Sequence, residues 1–269
     1  MAGPDRTISV LKLFTLDRPA WTVEHAAAAL GVSASSAYRY VAVLTEAGLL
    51  TQAGGGAYVL GPAFIQYDRQ IQLTDPLLHA ARPVMEELLR PAPPASTVLL
   101  CRLFGDTVLC IHQEAGRSAG DPVSYERGRP MPLFRGATSK AILAWLPPRD
   151  LRRLFEAQPA EVAASGLGED WTAFRTALAR IRRAGHEVSH AELDAGRIGL
   201  AVPILDEARR VLGSLSYVIP AREAASLPRL VPPLAAAAKA IERSLAETPE
   251  SDHETRISEQ NSQHVRILT

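Results

Sequence analysis

The stretch from Trp21 to Leu60 constrains the fold more than any other part of the chain. Thr22 is placed to cap a short helix, Val23 to Leu30, which stops at Gly31. Ser33 then caps a second helix, Ala34 to Ala47, with Gly48 supplying the positive φ that often follows a helix end. Ala37, Tyr40, Val41, Leu44 and Ala47 recur at helical spacing and predict a buried stripe. Off that stripe near the amino end stand Ser35, Ser36, Tyr38 and Arg39. Leu49 to Gln52 and Ala57 to Leu60 flank Ala53-Gly54-Gly55-Gly56, a hairpin with a glycine tip. Helix, tight turn, helix and hairpin in this order make a winged helix-turn-helix, which sets one helix in a DNA groove. The candidate DNA contacts are therefore Thr22, Ser33, Ser35, Ser36, Tyr38 and Arg39.

Length and composition bound the remainder. The chain has 269 residues and 47% hydrophobic content, enough for two domains with real cores. Before Pro76, Arg6, Lys12, Arg18, Arg39 and Arg69 face Asp5, Asp17, Glu24, Glu46, Asp68 and Asp75. A segment without basic excess does not bind DNA tightly as one copy, and binding as an oligomer with few phosphate contacts per subunit is expected. Cys101 and Cys110, the two cysteines, sit in apolar runs and read as reduced core residues. The start, Met1 to Arg6, lacks an apolar signal core, and no run is long enough to span a bilayer. A cytoplasmic protein without membrane partners or cofactor is expected.

The pattern divides the chain at Pro62 and again near Thr74. A first helix, Arg6 to Phe14, carries Ile8, Leu11 and Phe14 at core spacing. The expected parts are a DNA-binding domain over 1–61, a linker helix over 62–75, an α+β domain over 76–249 and a tail without fixed structure over 250–269. Within the α+β domain, helix Leu77 to Leu89 precedes strands Val98 to Leu103 and Val108 to His112. Helices follow near Ser139 to Trp145, Pro148 to Phe155 and Trp171 to Ala184. Strands His186 to Glu192, Leu200 to Leu205 and Val211 to Ile219 come next, then a last helix, Leu230 to Ala246.

Four motifs in this order resemble the IclR family of bacterial transcriptional regulators. They are Leu30-Gly31-Val32-Ser33-Ala34-Ser35-Ser36-Ala37-Tyr38-Arg39, Tyr58-Val59-Leu60-Gly61, Pro132-Leu133-Phe134-Arg135-Gly136-Ala137-Thr138-Ser139-Lys140-Ala141, and Gly185, Glu192 and Gly196 with Ala201-Val202-Pro203-Ile204. The resemblance covers Arg6 to Glu247, and residues after Glu247 extend beyond the family's usual end. It departs from the family at Ala34, often Lys or Arg there, and at Tyr38, often His.

The resemblance implies a GAF-like effector-binding domain, dimers joined into tetramers, a double-stranded operator and a small organic acid effector. Family positions that line the ligand match Ala137, Thr138, Ser189, Gly199, Ser216 and Val218. Gly136 and Ser139 belong to the same helix start, whose N–H groups favour a carboxylate, and Thr138, Ser139 and Ser216 add hydroxyls. The family's acidic and thiol side chains at two positions are here Ser189 and Gly199, and Val218 replaces a hydroxyl. The expected pocket is roomier and less polar than one for a two-carbon acid, and suits a carboxylate on a hydrophobic or aromatic body. Arg135 is either a partner for that carboxylate or a solvated charge.

One rival class is enzymatic. His186-Glu187-Val188-Ser189-His190 matches the H-E-x-x-H signature of zinc hydrolases, which requires a helix to bring both imidazoles to one face. Gly185 ends the preceding helix, Val188 favours a strand, and no third ligand follows at a recognisable spacing, so no metal site is expected. Gly213-Ser214-Leu215-Ser216-Tyr217 lacks the final glycine of a nucleophile elbow, so no catalytic residue is assigned.

Overall fold

The computed structural model of the chain describes residues 3–118 and 123–247, with side chains from Arg6 onward. The tail expected from Glu250 lies outside the described residues. The chain divides into two compact units after Asp75.

The first unit holds α1 (Gly3–Leu11), α2 (Val23–Leu30) and α3 (Ala34–Glu46), then a small sheet and α4 (Ala63–Thr74). The sheet is β1 (Trp21–Thr22), β2 (Leu50–Gln52) and β3 (Ala57–Leu60) in the order β1-β3-β2. Thr22 and Ser33 cap α2 and α3 as their spacing predicts, Oγ1 and Oγ accepting from His25 N–H and Ser36 N–H. Gly31 is left-handed (φ 63°) and closes α2 with bonds back to Ala27 and Ala28. Ala37, Tyr40, Val41 and Leu44 of α3 pack with Val10, Val23, Ala27 and Leu50 into the unit's core. Gly61 ends β3 against the end of α3, where a Cβ would stand 2.2 Å from the Gly48 carbonyl oxygen.

Two expectations shift here. α1 starts earlier and stops at Leu11, so Val10 enters the core and Ile8 is 52% exposed. Phe14 packs from the turn beyond, which the Trp21 indole holds by donating to the Leu13 carbonyl at 2.9 Å. At the other end α3 stops at Glu46 and leaves Ala47 exposed.

The second unit is a six-stranded antiparallel sheet between two helical layers. Its strands are β4 (Thr97–Phe104), β5 (Thr107–Ala115), β6 (Pro130–Pro132), β7 (Glu187–His190), β8 (Arg197–Leu205) and β9 (Val211–Pro220), in the order β6-β5-β4-β9-β8-β7. On one face lie α5 (Pro76–Leu88) and α10 (Leu227–Glu247), the latter after a 3₁₀ turn at Ala221–Ser226. The other carries α6 (Ala137–Leu143), α7 (Pro148–Ala157), α8 (Pro159–Ala164) and α9 (Trp171–Ala184). The Tyr217 hydroxyl, fully buried, ties sheet to helix by donating to the Leu88 carbonyl at 2.7 Å.

Strict alternation along β8 and β9 decides where α6 sits. Ile198, Leu200, Val202, Leu215, Tyr217 and Ile219 point toward α5 and α10. Gly199, Ala201, Ser214 and Ser216 lie between them on the opposite face, so a stripe of small residues meets α6. Ala201 packs against Ala137 and Ala141, and Ser214 Oγ donates to the Thr138 carbonyl at 3.1 Å. The start of α6 is thereby pinned close to the sheet.

Candidate functional site

On the first unit α3 exposes Ser35, Tyr38 and Arg39 opposite its buried stripe, with Ser36 half-buried at the capped end. Thr22 and Ser33 are placed beside this face, but their oxygens already serve as caps, and the Ser33 hydroxyl also donates to Ser36 Oγ at 3.0 Å. Tyr38, 54% exposed, donates its hydroxyl to Glu24 Oε1 at 2.8 Å, bridging α3 to α2. The Arg39 guanidinium lies 5.7 Å from the Tyr40 ring centroid. Of the six predicted contacts, Ser35 and Arg39 present the least committed side chains.

On the second unit the turn before α6, the β7–β8 turn, β8 and β9 meet around a small cavity. Gly136, Ala137, Thr138, Ser189, Gly199 and Val218 line it, joined by Tyr125, Glu192, Leu193, Asp194 and Arg197. Gly136 (φ 81°) turns the chain into α6 in a left-handed conformation that favours glycine, and a Cβ there would crowd Leu193 Cδ1 at 2.7 Å and the Tyr125 hydroxyl at 3.0 Å. The N–H groups at this turn are already bonded. Gly136 N–H donates to Glu192 Oε2 at 2.8 Å, and Ala137 N–H to Ser189 Oγ at 2.9 Å. Glu192 Oε1 accepts from Lys140 Nζ at 2.8 Å, and Nζ also donates to the Ser165 carbonyl at 3.1 Å. Arg135 donates to the Glu192 backbone carbonyl. Arg135 is thus tied to the protein's own backbone.

Ser139 and Ser216, expected in the wall, are both fully buried and hydrogen-bonded to other side chains of the site. Ser139 is fully buried with its hydroxyl 2.8 Å from the Tyr125 hydroxyl, and burial pushes that phenol's pKa up. Ser216, equally buried, pairs with Thr138 Oγ1 at 3.0 Å beneath α6. Among the described residues this cavity holds about 30 Å³, space for a water or two and less than the roomy pocket expected. At Gly199 a Cβ would meet Ser189 Oγ at 2.9 Å and Ala137 Cβ at 3.3 Å, so β7 and the head of α6 crowd the room the glycine leaves.

The sequence reading missed Tyr125, Lys140, Glu192 and Asp194 as site residues. Lys140 carries a signal in hindsight, because a single cation among Ala141, Ile142 and Leu143 on an all-buried helix requires a buried counter-charge. Asp194 accepts from Ser124 N–H at 2.9 Å and from the Ser124 hydroxyl. Burial also raises the pKa of Glu187 on neighbouring β7.

The zinc-hydrolase alternative is overturned by β7 being a strand. Residues four apart on a strand are separated by roughly 13 Å, so His186 and His190 cannot share an ion. Among the described residues no group of three or more His, Cys, Asp or Glu could hold a metal. Ser214 and Ser216 lie inside β9 rather than on a sharp turn, which excludes a nucleophile elbow.

Comparison with known proteins matches both units. The model for the bacterial transcriptional regulator IclR C-terminal domain matches residues 72–243, and that for the IclR helix-turn-helix domain residues 3–54. The regulator KipR of Bacillus subtilis is 27% identical over 211 residues, covering 78% of this chain and 83% of KipR. An IclR homologue of Microbacterium hydrocarbonoxydans, solved with 4-hydroxybenzoate, superposes with a TM-score of 0.74 at 24% identity, over 92% of this chain and 100% of that one. An IclR-type regulator of Alicyclobacillus acidocaldarius gives 0.72 at 22% identity, over 90% and 98%. A helix-turn-helix unit with an exposed reading helix, an α+β unit with a cavity at the head of α6, and both family matches lead to one conclusion: the chain belongs to the IclR family of DNA-binding transcriptional regulators and is not an enzyme.

Proposed function

We propose that two copies of this protein read a near-palindromic double-stranded operator, each laying α3 in the major groove, and that a small organic acid bound at the α6 cavity shifts operator affinity. The observation that carries the DNA reading is the split of α3 into a buried stripe and an exposed face bearing Ser35, Tyr38 and Arg39. Its unit has five basic and six acidic side chains, which favours paired binding over single copies. Along α4, Ile65 is 76% exposed, with Phe64, Tyr67 and Ile71 also open, and this apolar stripe supports self-association as a dimer. The second units would join dimers into tetramers.

The acid class is supported by the backbone N–H groups at Gly136 and Ala137, each holding a side-chain oxygen, and by the 4-hydroxybenzoate in the Microbacterium relative. No helix of the described residues is long and apolar enough to cross a membrane. The reading places the protein in the cytoplasm with its operator.

Fluorescence anisotropy with DNA from upstream of its own gene, at fixed salt, tests the proposal. Arg39→Ala should weaken binding by roughly 1–3 kcal/mol while the circular dichroism spectrum is unchanged. Equal affinity for wild type and variant would refute the placement of α3.

A further inference from the structure

We infer that the turn between β7 and β8 is a lid over the α6 cavity, that its Glu192 carboxylate occupies the place of an effector carboxylate, and that Lys140 is the buried cation with which either one pairs. The inference rests on the effector reading above for the cavity's role, and goes beyond it in naming the gate, the competitor and the ion-pair partner.

At about 30 Å³ the cavity between the described walls is smaller than an aromatic acid, so an acid of that size seated there displaces part of its lining. Most of its walls are fixed. Gly199 and Val218 are paired with each other within the sheet, and the start of α6 is fastened to it through Ser214 and Ser216. Tyr125 is buried and held by Ser139, which leaves the turn that contributes Ala191, Glu192, Leu193 and Asp194. Left-handed residues bound it at either end, Ala191 (φ 51°) and Gly196 (φ 73°). Backbone bonds fix its ends, Ala191 N–H to the Arg197 carbonyl at 2.9 Å and Ala221 N–H to the Gly196 carbonyl at 2.7 Å, so the part free to lift is the stretch between. The fastenings of that stretch to the rest of the unit are mostly polar: Glu192 to Gly136 N–H and Lys140, Arg135 to the Glu192 carbonyl, and Asp194 to Ser124. Leu193 is its one apolar anchor, packed half-buried against the core. Such a segment opens locally without unfolding the sheet beneath it.

The chemistry of the fastening defines what can replace it. The Lys140 side chain is 5% exposed, against 27% for Glu192. When the lid lifts, the ammonium and Gly136 N–H lose a shared acceptor; the ammonium keeps the Ser165 carbonyl and the more distant field of Glu187 on β7, but no carboxylate in direct contact, which is disfavoured for a buried cation. An incoming carboxylate restores both bonds through its two oxygens, as Glu192 does now. A neutral amide offers one carbonyl oxygen and no charge, so it does not replace the contact charge that Glu192 supplied. The cavity therefore selects a carboxylate for reasons that lie in Lys140.

Two measurements on the full chain test this without an identified effector. In hydrogen–deuterium exchange, Asp194→Ala should speed exchange at Gly136, Ala137 and the lid by roughly tenfold or more, while amides of β8 and β9 keep their wild-type rates. Asp194→Asn, whose one carbonyl oxygen can still accept from Ser124 N–H while its amide NH2 can donate to the Ser124 hydroxyl, should fall closer to wild type than Asp194→Ala. Unchanged exchange in Asp194→Ala, or equal acceleration throughout the sheet, overturns the lid. In thermal melts, Glu192→Ala should regain stability with added acetate and gain nothing from acetamide, with wild type indifferent to both. No preference for acetate over acetamide overturns the exchange at Lys140. Calorimetry with 4-hydroxybenzoate on the wild type addresses the effector reading separately. Heat from that probe supports the acid class, and its absence alongside acetate rescue would retire this aromatic acid while the lid and its competitor stand.

Discussion

Removing the Glu192 carboxylate should cost the second unit more than any surface ion pair is worth. At 2.8 Å the Lys140–Glu192 pair has a gross attraction of roughly 6 kcal/mol at an effective dielectric of 20, much of it offset by desolvation. Breaking a fully buried pair from one side costs about 3–5 kcal/mol. Glu192 retains partial solvent access whereas Lys140 has almost none, so Glu192→Ala should fall near 2–4 kcal/mol, roughly 4–16 °C in Tm for a unit of this size. Lys140→Met leaves a carboxylate that can turn toward water and fills the ammonium's space with an apolar chain, so about 1–2 kcal/mol is expected. In the double variant no charge is stranded, and it should be more stable than Glu192→Ala alone. Urea unfolding followed by circular dichroism, with fluorescence of Trp145 and Trp171 as a second probe of the same unit, gives all four corners of the cycle. Strict additivity, or a Glu192→Ala variant within about 0.5 kcal/mol of wild type, would refute the ion pair as the anchor of the α6 site.

Gly61→Ala drives a Cβ to 2.2 Å from the Gly48 carbonyl oxygen, where backbone faces backbone and no side chain can yield. It should destabilise the first unit by about 2–3 kcal/mol or more and abolish DNA binding, read by circular dichroism and anisotropy together. Burial raises the pKa of both Tyr125 and Tyr217 above the ordinary phenol value, so the folded state holds their protons more tightly than the unfolded chain. That contribution is complete below about pH 10 and is lost as pH climbs from there through the raised folded values. A steep alkaline fall in Tm that flattens in a Tyr125→Phe, Tyr217→Phe double variant is the expected result. An identical slope in the double variant would show that other groups govern it.

Local chemistry made the first unit readable. Capping by Thr22 and Ser33, the left-handed Gly31 and the periodic stripe Ala37, Tyr40, Val41 and Leu44 each depend on neighbours a few residues away. The same locality separated strand from helix at His186 to His190, since Gly185 had already closed α9. β6 escaped notice because Pro130 and Pro132 argue against a strand, although prolines are tolerated on an edge, where β6 lies.

By itself the sequence determined the winged helix-turn-helix, the α+β class of the second unit and the segments that gather at its cavity, because each follows from short-range periodicity, capping or turn chemistry. Tertiary structure decided which polar groups those segments spend on one another. Gly136 N–H meets Glu192, Ala137 N–H meets Ser189 and Thr138 meets Ser216, across separations of 56, 52 and 78 residues. Ser139 bonds Tyr125, and Gly199 lets Ser189 and the head of α6 approach the sheet. No local rule selects a partner across such distances. Burial does, because once the small-residue stripe of β8 and β9 brings α6 against the sheet, every donor and charge trapped there has to find an acceptor within reach.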